Sequence, residues 1–361
     1  MQPPLITIII PTYRRPKLLA KAIKSALSQT IKNLQVYICD NASEDETSDV
    51  VEELRKVDKR IHYFSQKQNI GMLANYEFGR SLVTTQYFSF LSDDDILFPS
   101  FCEIALKEFE NYPDIAFAAA STLIVNLEYA LLDDPIARWP REGCFLPHEG
   151  IVEMVGKYPA PNTVLFRTEC VKSISIDHEN KVMWDCDFLL KIASRYPISI
   201  RKQPAGLFFV HDNSFTYTLN HRHWIDANEK LLLSIQKSDV IPKKIKTRIT
   251  SKFTNEMIRK AFRGLFRHIM NKDEKTASFY ENFLSARKHE FKFKPNLYWS
   301  IFKLRKVFPF MPFLLDFAWR MKRKRRKIIS KEYSYWNSHF EKDYQEIIST
   351  SGIGQTNFPP H

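Results

Sequence analysis

Apolar residues in the first hundred positions alternate between short continuous runs and longer runs with helical spacing. The short runs predict strands buried on both faces, because a strand between two layers of helices has no polar side. They cover residues 5–10, 35–39, 61–64 and 87–91. The helical runs lie between them, and Pro16 suits the first turn of the first helix. Ser43, with Glu46 three residues later, predicts a capping box for the second helix.

Strands that alternate with helices at this spacing predict parallel βαβ units. The expected fold class is therefore α/β, with an open, doubly wound and mostly parallel sheet. Ligands of such sheets bind beyond the carboxyl ends of the strands. Polar residues follow three of these ends, namely Pro11–Tyr13, Asp40 with Asn41, and Asp93–Asp95. We therefore expect these three groups to converge in one site.

The three consecutive aspartates, Asp93–Asp95, carry the most specific chemistry of these groups. Adjacent carboxylates repel one another unless they share a cation, and oxygen ligands suit Mg²⁺ or Mn²⁺ better than Zn²⁺. The triplet predicts a metal and phosphate site. The alternative is a solvated turn that caps the next helix, since Asp is common at helix starts.

The pattern becomes less regular after residue 112. An apolar run at 115–125 predicts another strand, and a long polar, proline-containing stretch follows at 126–162. Loops of that length are usually functional. From about residue 222 the sequence is helical in pattern and basic, which places a boundary between residues 220 and 245.

Charge and aromatic content add a second hypothesis. The chain has 361 residues, a net charge of +12 and 28 Phe, and its basic residues concentrate after about residue 240. Residues 295–336 combine aromatic side chains with the basic run 322–327, which is typical of a segment lying in the interface of an anionic membrane leaflet. A basic helical tail packed on the rest of the protein is the alternative. Nucleic-acid binding is the weaker competitor, because no recognised motif accompanies the charge.

Cysteine usage and the amino terminus predict a cytoplasmic protein. The five cysteines are widely spaced and form no C-x-x-C pair, so we expect reduced thiols with no zinc site. No cationic segment followed by an apolar run opens the sequence, and no window of about 18 apolar residues predicts a transmembrane helix.

Five segments, in this order and spacing, resemble the motifs of the family 2 glycosyltransferases, which are inverting enzymes with the GT-A fold and nucleotide-sugar donors. The segments are residues 8–15, 38–45, 69–71, 91–97 and 184–189. The resemblance implies a catalytic domain over residues 1–225, with a nucleotide-binding half at 1–112 and an acceptor half at 113–225. A helical, basic and aromatic region follows at 226–361.

The resemblance also implies roles for individual residues. The nucleotide-binding set is Pro11, Thr12, Tyr13, Arg15, Asp40, Asn41, Asn69, Gly71 and Asp93. The metal set is Asp94, Asp95 and His211, with Mn²⁺ or Mg²⁺ as cofactor. The chain departs from many relatives at Asn41 and Ser92, which replace acids, so Asp94 is the preferred metal ligand. Tyr76 lies near the position of an Arg in relatives. A lone His after an apolar strand is more often a hydrogen-bonded structural residue, which is the alternative for His211.

Catalysis by such an enzyme needs a base, because the acceptor hydroxyl loses a proton as it attacks the anomeric carbon. Asp185 matches the acid that acts as base in relatives, and Asp187 is the reserve. Both residues could instead simply cap a helix. Trp139, Trp184 and Asp187 are candidate acceptor contacts, although aromatic residues in this region could equally be core.

The predicted function is therefore transfer, with inversion, of a hexosyl or deoxyhexosyl group from a nucleotide-sugar donor to a glycan or lipid-linked saccharide. Assembly of a cell-surface polysaccharide, such as a capsule or O antigen, at the inner face of the cytoplasmic membrane fits this chemistry. One alternative is a nucleotidyltransferase that forms a sugar nucleotide, but residues 11–17 lack the Gly-rich phosphate loop. The other is a non-catalytic glycan-binding or scaffold protein.

Overall fold

The computed structural model describes residues 3–127, 129–211, 221–291, 296, 299–300 and 302–303. The chain divides into two compact units, Met1–Ile249 and Thr250–His361. Most of the aromatic and basic segment 295–336, including the whole run 322–327, lies outside the described residues.

The first unit is built on a mixed sheet that has ten strands within the described residues. These strands are β1 (Ile6–Thr12), β2 (Leu34–Asp40), β3 (Ile61–Ser65), β4 (Tyr87–Phe90), β5 (Ile96–Leu97), β6 (Phe117–Asn126), β7 (Leu131–Asp133), β8 (Gly143–Phe145), β9 (Val164–Arg167) and β10 (Ile198–Val210). The main strand order is β3-β2-β1-β4-β9-β6-β10-β5. Strands β1 to β4 are mutually parallel, and β10 runs parallel to β6. Short antiparallel strands complete the sheet, and β9 lies between β4 and β6.

Helices alternate with the first four strands, as the sequence pattern predicts. The helices are α1 (Pro16–Leu27), α2 (Thr47–Val57), α3 (Met72–Ser81), α4 (Phe101–Asn111), α5 (Glu149–Met154), α6 (Thr168–Val171), α7 (Trp184–Ala193), α8 (His221–Lys237), α9 (Lys243–Met270) and α10 (Glu274–Ala286). The predicted α/β class with a mostly parallel sheet is confirmed.

The capping box predicted for α2 is wrong. The helix begins at Thr47, and the residue before it, Glu46, makes no side-chain capping bond. Ser43 instead donates its hydroxyl hydrogen bond to Asp40, and its oxygen accepts from the backbone amide of Arg14. The Ser43 side chain therefore stabilises the turn after β2 and not the helix start.

The core of the first unit explains the continuous apolar runs. Every residue of β1 and β2 is buried, because helices cover both faces of these strands. Gly79 permits the close packing of α3 on β1, since a Cβ at this position would lie 2.5 Å from Cγ2 of Ile9. The stretch 126–162 is not one long loop, because it contains β7, β8, α5 and short 3-10 turns.

The described part of the second unit continues α9 and adds α10. A Cβ at Gly264 would lie 2.3 Å from the Tyr280 ring, so the glycine lets the two helices approach closely. Five aromatic side chains form a cluster against this pair of helices, namely Phe262, Phe266, Phe291, Trp299 and Phe302. None of the helices among the described residues is long and apolar enough to cross a bilayer.

Candidate active site

A cavity of about 450 Å³ opens beyond the carboxyl ends of β1 and β4. The residues lining it come from the end of β1 and the turn after it, the turn after β2, α3 and the turn before it, the aspartate turn after β4, the segment before β9, the start of α7 and the end of β10. The predicted site residues among them are Pro11, Thr12, Tyr13, Arg15, Asn41, Asn69, Asp93, Asp94, Trp184 and Asp185. The structure therefore brings the three strand ends together, and it places Asp94 and Asp185 on the same cavity.

Asp93 is buried at the base of this cavity. The hydroxyl of Thr12 donates a 2.8 Å hydrogen bond to its Oδ2, and Nη1 of Arg15 lies 3.2 Å from its Oδ1. Burial raises the pKa of Asp93 to about 6, with a further contribution from the charge of Asp94, while Arg15 and Thr12 oppose the shift. Both oxygens of this carboxylate are thus held by residues at the end of β1 and the start of α1.

Asp94 lies on the cavity wall beside Arg15 and His211. Its Oδ2 accepts a 2.8 Å hydrogen bond from Nη1 of Arg15 and lies 3.2 Å from Nε2 of His211. His211 directly follows β10 and is not among the residues that line the cavity. Two members of the predicted metal set are therefore neighbours, and a guanidinium already compensates the charge of Asp94.

Asp95 has a different environment from its two neighbours. Its side chain is buried, with 1% of its surface exposed, and its Oδ1 accepts a 3.0 Å hydrogen bond from the backbone amide of Phe209. Burial raises its pKa well above the ordinary value. Asp95 does not line the cavity, so its position does not support the predicted role as a metal ligand. Across the described ranges, no three His, Cys, Asp or Glu side chains converge in the manner of a protein-only metal site.

Asp40 and Asn41 occupy different surroundings. Asp40 is buried, accepts hydrogen bonds from Tyr63 and Ser43, and borders a separate cavity of about 200 Å³. Asn41 lines the main cavity, and its Nδ2 donates to Oδ1 of Asn69 at 3.0 Å. The structure thus separates two residues that the motif predicts to act together.

Asn69 and Gly71 shape the turn before α3. The Gly71 amide donates a 2.9 Å hydrogen bond to Oδ1 of Asn69, and the Ile70 amide donates to Oδ1 of Asn41 at 2.8 Å. Gly71 has a φ of +88°, a conformation that residues with a Cβ rarely adopt. Gly71 is not among the cavity-lining residues, so it fixes the turn that presents Asn69.

Asp185 lies at the start of α7, where its Oδ1 accepts a 2.8 Å hydrogen bond from the Cys186 amide. Burial raises the pKa of this carboxyl above its ordinary value, and the hydrogen bonds at the helix start lower it only in part. Trp184 contributes to the same wall, where its ring centroid lies 4.8 Å from that of Tyr76. Asp185 therefore both contacts the helix amide and faces the cavity.

Two of the candidate acceptor residues lie elsewhere. Trp139 has 2% of its surface exposed, packs on Phe145 and donates its indole hydrogen bond to the Lys157 carbonyl at 2.8 Å. Asp187 is buried, with Lys191 Nζ 2.5 Å from its Oδ2 and the Ser234 hydroxyl 2.9 Å from its Oδ1. Neither residue lines the cavity. An acceptor contact is not supported for either, because Trp139 belongs to the core and Asp187 joins α7 to α8.

Sequence reasoning missed three polar residues of the cavity, namely Asn75, Asn162 and Lys181. Asn75 on α3 donates a 2.6 Å hydrogen bond to the carbonyl of Cys39 on β2. Asn162 precedes β9 and donates to the carbonyl of Leu207 on β10 at 3.1 Å. Helical spacing from Gly71 could have indicated Asn75, but the other two depend on contacts between distant segments.

Comparison with known proteins agrees with this architecture. Residues 7–141 match the family described as glycosyl transferase family 2. The GalNAc(5)-diNAcBac-PP-undecaprenol beta-1,3-glucosyltransferase of Campylobacter jejuni is 40% identical over 95 residues, which cover 26% of this chain and 31% of that protein. Chondroitin synthase of Escherichia coli is 35% identical over 126 residues, which cover 35% of this chain and 18% of that protein. The matched part of the chain thus spans about a third or less of these two relatives.

Solved structures resemble a larger part of the chain at low sequence identity. The S. aureus TarS 1–349 structure in complex with UDP-GlcNAc has a TM-score of 0.56 and 14% identity, covering 80% of this chain and 93% of TarS 1–349. The mannosyltransferase PcManGT from Pyrobaculum calidifontis, in complex with GDP-Man and Mn²⁺, has a TM-score of 0.50 and 13% identity, covering 86% and 84% of the two chains. These similarities concern the fold alone. The chain therefore has the GT-A fold, and its residues 7–141 match the model of glycosyl transferase family 2.

Proposed function

We propose that this protein is an inverting glycosyltransferase that moves one sugar from a nucleotide donor to a hydroxyl of a saccharide acceptor. The observation that carries the proposal is the shared cavity of Asp94 and Asp185. Its volume of about 450 Å³ lies in the usual range for small-ligand sites. A donor diphosphate beside Asp94 would place the anomeric carbon between the two carboxylates.

The nucleotide end of the donor would lie against the turns after β1 and β2. Thr12, Tyr13, Asn41 and Asn69 line that part of the cavity. Asp40 would act indirectly. Its carboxylate accepts hydrogen bonds from Ser43 and Tyr63, and these bonds stabilise the turn that carries Asn41. TarS has been solved with UDP-GlcNAc and PcManGT with GDP-Man. UDP and GDP sugars are therefore the first donors to examine, followed by dTDP and CDP sugars.

A divalent cation fits the residues beside Asp94. A carboxylate on the cavity wall next to an imidazole, with a second carboxylate from Asp93, is a donor set that suits Mn²⁺ or Mg²⁺ when diphosphate oxygens complete it. Asp94 would be the principal ligand, with His211 beside it. When bound, the ion would stabilise the negative charge of the leaving diphosphate. The PcManGT structure contains Mn²⁺.

Asp185 would take the proton of the attacking hydroxyl. As the hydroxyl oxygen bonds to the anomeric carbon, the bond from that carbon to the diphosphate oxygen breaks, and one displacement inverts the configuration. The Cys186 amide orients the carboxylate through Oδ1. The raised pKa makes Asp185 a stronger base than an ordinary Asp. Trp184, on the adjacent wall, would contact the acceptor sugar.

The acceptor would be a glycan or a lipid-linked saccharide in bacterial polysaccharide synthesis, at the inner face of the cytoplasmic membrane. The names of the Campylobacter and Escherichia relatives describe an undecaprenol-linked saccharide and a polysaccharide, respectively. In the second unit, Arg259, Arg263 and Arg267 are exposed and four residues apart on α9. Such a basic face would be attracted to an anionic leaflet.

The experiment that tests the proposal is release of nucleoside diphosphate from a panel of UDP, GDP, dTDP and CDP sugars with Mn²⁺ or Mg²⁺. We expect release from one donor class, and its loss in Asp94→Asn. A glycan-binding or scaffold protein would release no nucleoside diphosphate. A nucleotidyltransferase would instead consume a nucleoside triphosphate and release pyrophosphate, which would contradict the proposal.

A further inference from the structure

We infer that Arg15 is a built-in counter-cation for the Asp93–Asp94 pair, and that the donor diphosphate draws it away so that a divalent cation can bind. The inference rests on the proposed function, because it assumes that Asp94 is a metal ligand. It goes further in predicting that metal and nucleotide bind cooperatively, and in naming the residue that couples them.

The geometry places one nitrogen between two carboxylates. Nη1 of Arg15 lies 3.2 Å from Oδ1 of Asp93 and 2.8 Å from Oδ2 of Asp94. The two aspartate side chains are almost fully covered, whereas 32% of the Arg15 side chain is exposed. Neighbouring buried carboxylates need a compensating charge. Arg15 supplies that charge from the position where a shared cation would otherwise lie.

A divalent cation and the guanidinium therefore compete for the same oxygen. Oδ2 of Asp94 already accepts the Arg15 hydrogen bond and has His211 Nε2 at 3.2 Å. A metal ion that enters alone must break the Arg15 pair and leave the guanidinium without its carboxylate partners. Binding of the ion in the absence of nucleotide is consequently weak.

The donor diphosphate removes this competition. Arg15 lines the same cavity as the nucleotide-binding turns, and a guanidinium matches the paired oxygens of a phosphate group. Arg15 directly precedes Pro16 at the start of α1, which fixes the position of its backbone. The guanidinium therefore changes from the carboxylates to the diphosphate by a movement of the side chain alone. Arg15 then pairs with the diphosphate, and Asp94 binds the metal ion. Each ligand thus raises the affinity for the other by the same factor.

Mn²⁺ binding, followed by the electron paramagnetic resonance signal of free Mn²⁺, tests the inference without an activity assay. The wild type, Arg15→Gln and Arg14→Gln are titrated alone, with UDP and with GDP, after subtraction of the Mn²⁺ that each nucleotide holds by itself. Arg14 is the matched control, because it is the adjacent arginine, pairs with Glu44 at 3.8 Å and does not line the cavity.

We expect the wild type and Arg14→Gln to bind Mn²⁺ on the order of 10-fold more tightly with the effective nucleotide than without it. Arg15→Gln should bind Mn²⁺ alone on the order of 10-fold more tightly than the wild type, and its gain from nucleotide should be smaller than that of the wild type, because only the direct contact between the ion and the diphosphate remains. Arg15→Lys retains a charge against the buried carboxylates and should remain folded if the glutamine variant does not. Its nucleotide-free Mn²⁺ affinity should exceed that of the wild type, since lysine lacks the planar fork.

Two results would overturn the inference, and they are distinguishable from each other. If the folded Arg15 variants bind Mn²⁺ alone no more tightly than the wild type, Arg15 is not the competitor, while the proposed metal site stands. If none of the proteins binds Mn²⁺ with or without either nucleotide, the cation site itself is wrong, and the inference fails with that part of the proposed function.

Discussion

The carboxylate of Asp95 accepts a 3.0 Å hydrogen bond from the backbone amide of Phe209. Asp95 directly follows Asp94 in the sequence. Phe209 lies near the end of β10, and His211 follows two residues later, just after the strand. This bond joins the aspartate turn to β10 at the point where Oδ2 of Asp94 lies 3.2 Å from Nε2 of His211. We therefore interpret Asp95 as the residue that positions the other two.

Substitution of Asp95 should affect stability more than metal binding. Asp95→Ala removes the buried acceptor of the Phe209 amide, which should lower the free energy of unfolding by about 1–3 kcal/mol. Asp95→Asn keeps a carbonyl acceptor and should lose less. Urea unfolding followed by circular dichroism measures both changes. If folded Asp95→Asn fails to bind Mn²⁺ in the presence of nucleotide, Asp95 is a ligand after all.

Asp185→Asn should separate donor binding from transfer. The variant keeps the size and hydrogen bonding of the side chain but cannot accept the acceptor proton, so turnover should fall by about 10²- to 10⁴-fold. Nucleoside diphosphate affinity, measured by thermal shift, should remain that of the wild type.

Asp187→Asn is the matched control, because Asp187 lies two residues further on α7 and outside the cavity. Its ion pair with Lys191 and its bond from Ser234 join two helices. The substitution should therefore lower the unfolding temperature while turnover per folded molecule changes little. An equal loss of turnover in the two variants would argue against Asp185 as the base.

The pH dependence of turnover should report the ionisation of Asp185. Burial raises the pKa of this carboxyl above its ordinary value, and only the ionised form accepts a proton. Turnover should therefore fall as the pH drops through the raised pKa, beginning at a higher pH than an ordinary Asp would give. Nucleotide affinity, measured at each pH, is the control. If turnover changes with pH only as nucleotide affinity does, the ionisation of Asp185 is not the cause.

The raised pKa of Asp185 also affects the stability of the folded protein. The folded protein holds the Asp185 proton more tightly than the unfolded chain does. The carboxyl therefore contributes less to the free energy of unfolding as the pH rises from the ordinary pKa of Asp to the raised pKa of Asp185. Above the raised pKa, where Asp185 is ionised at an energetic cost, Asp185→Asn should unfold at an equal or higher temperature. Scanning calorimetry of both proteins measures this, and a large decrease would contradict it.

The sequence predicts the first half of the sheet well, because β1, β2 and β4 are buried on both faces and leave continuous apolar runs. In the second half, the apolar run at 115–125 correctly predicts β6, but the short strands are not predicted. Strand β9 has four residues and lies antiparallel between β4 and β6, which precede it by tens of residues. Its place depends on pairing between distant segments, for which a local pattern has no signal.

The positions of several site residues can likewise be predicted from the sequence, whereas the orientation of their side chains cannot. Thr12, Asn41, Asp93 and Asp94 follow from the rule that parallel strands end at one edge. The rule does not say which way a side chain points. Strand β2 ends at Asp40, whose carboxylate accepts hydrogen bonds from Ser43 and Tyr63 and borders a separate cavity, whereas the next residue, Asn41, lines the main cavity.

The basic face of α9 leads to a prediction about membrane binding. Arg259, Arg263 and Arg267 are four residues apart, so they lie on one side of the helix, opposite the buried residues Ala261 and Leu265. Each basic side chain near an anionic leaflet contributes about 1 kcal/mol. Replacement of all three by Glu should therefore weaken binding to vesicles containing phosphatidylglycerol by about 100-fold or more. Cosedimentation with vesicles measures the change.

The control for this prediction carries the same change of charge elsewhere. Lys56, Lys59 and Lys107 are exposed on the first unit, and their replacement by Glu should leave vesicle binding close to that of the wild type if the α9 face makes the contact. Binding should also weaken as salt rises, because screening shortens the range of the attraction. If both triple variants lose affinity equally, only net charge matters, and α9 is not a docking face. If duplex DNA is retained more strongly than the vesicles at matched salt, the anionic partner is a nucleic acid.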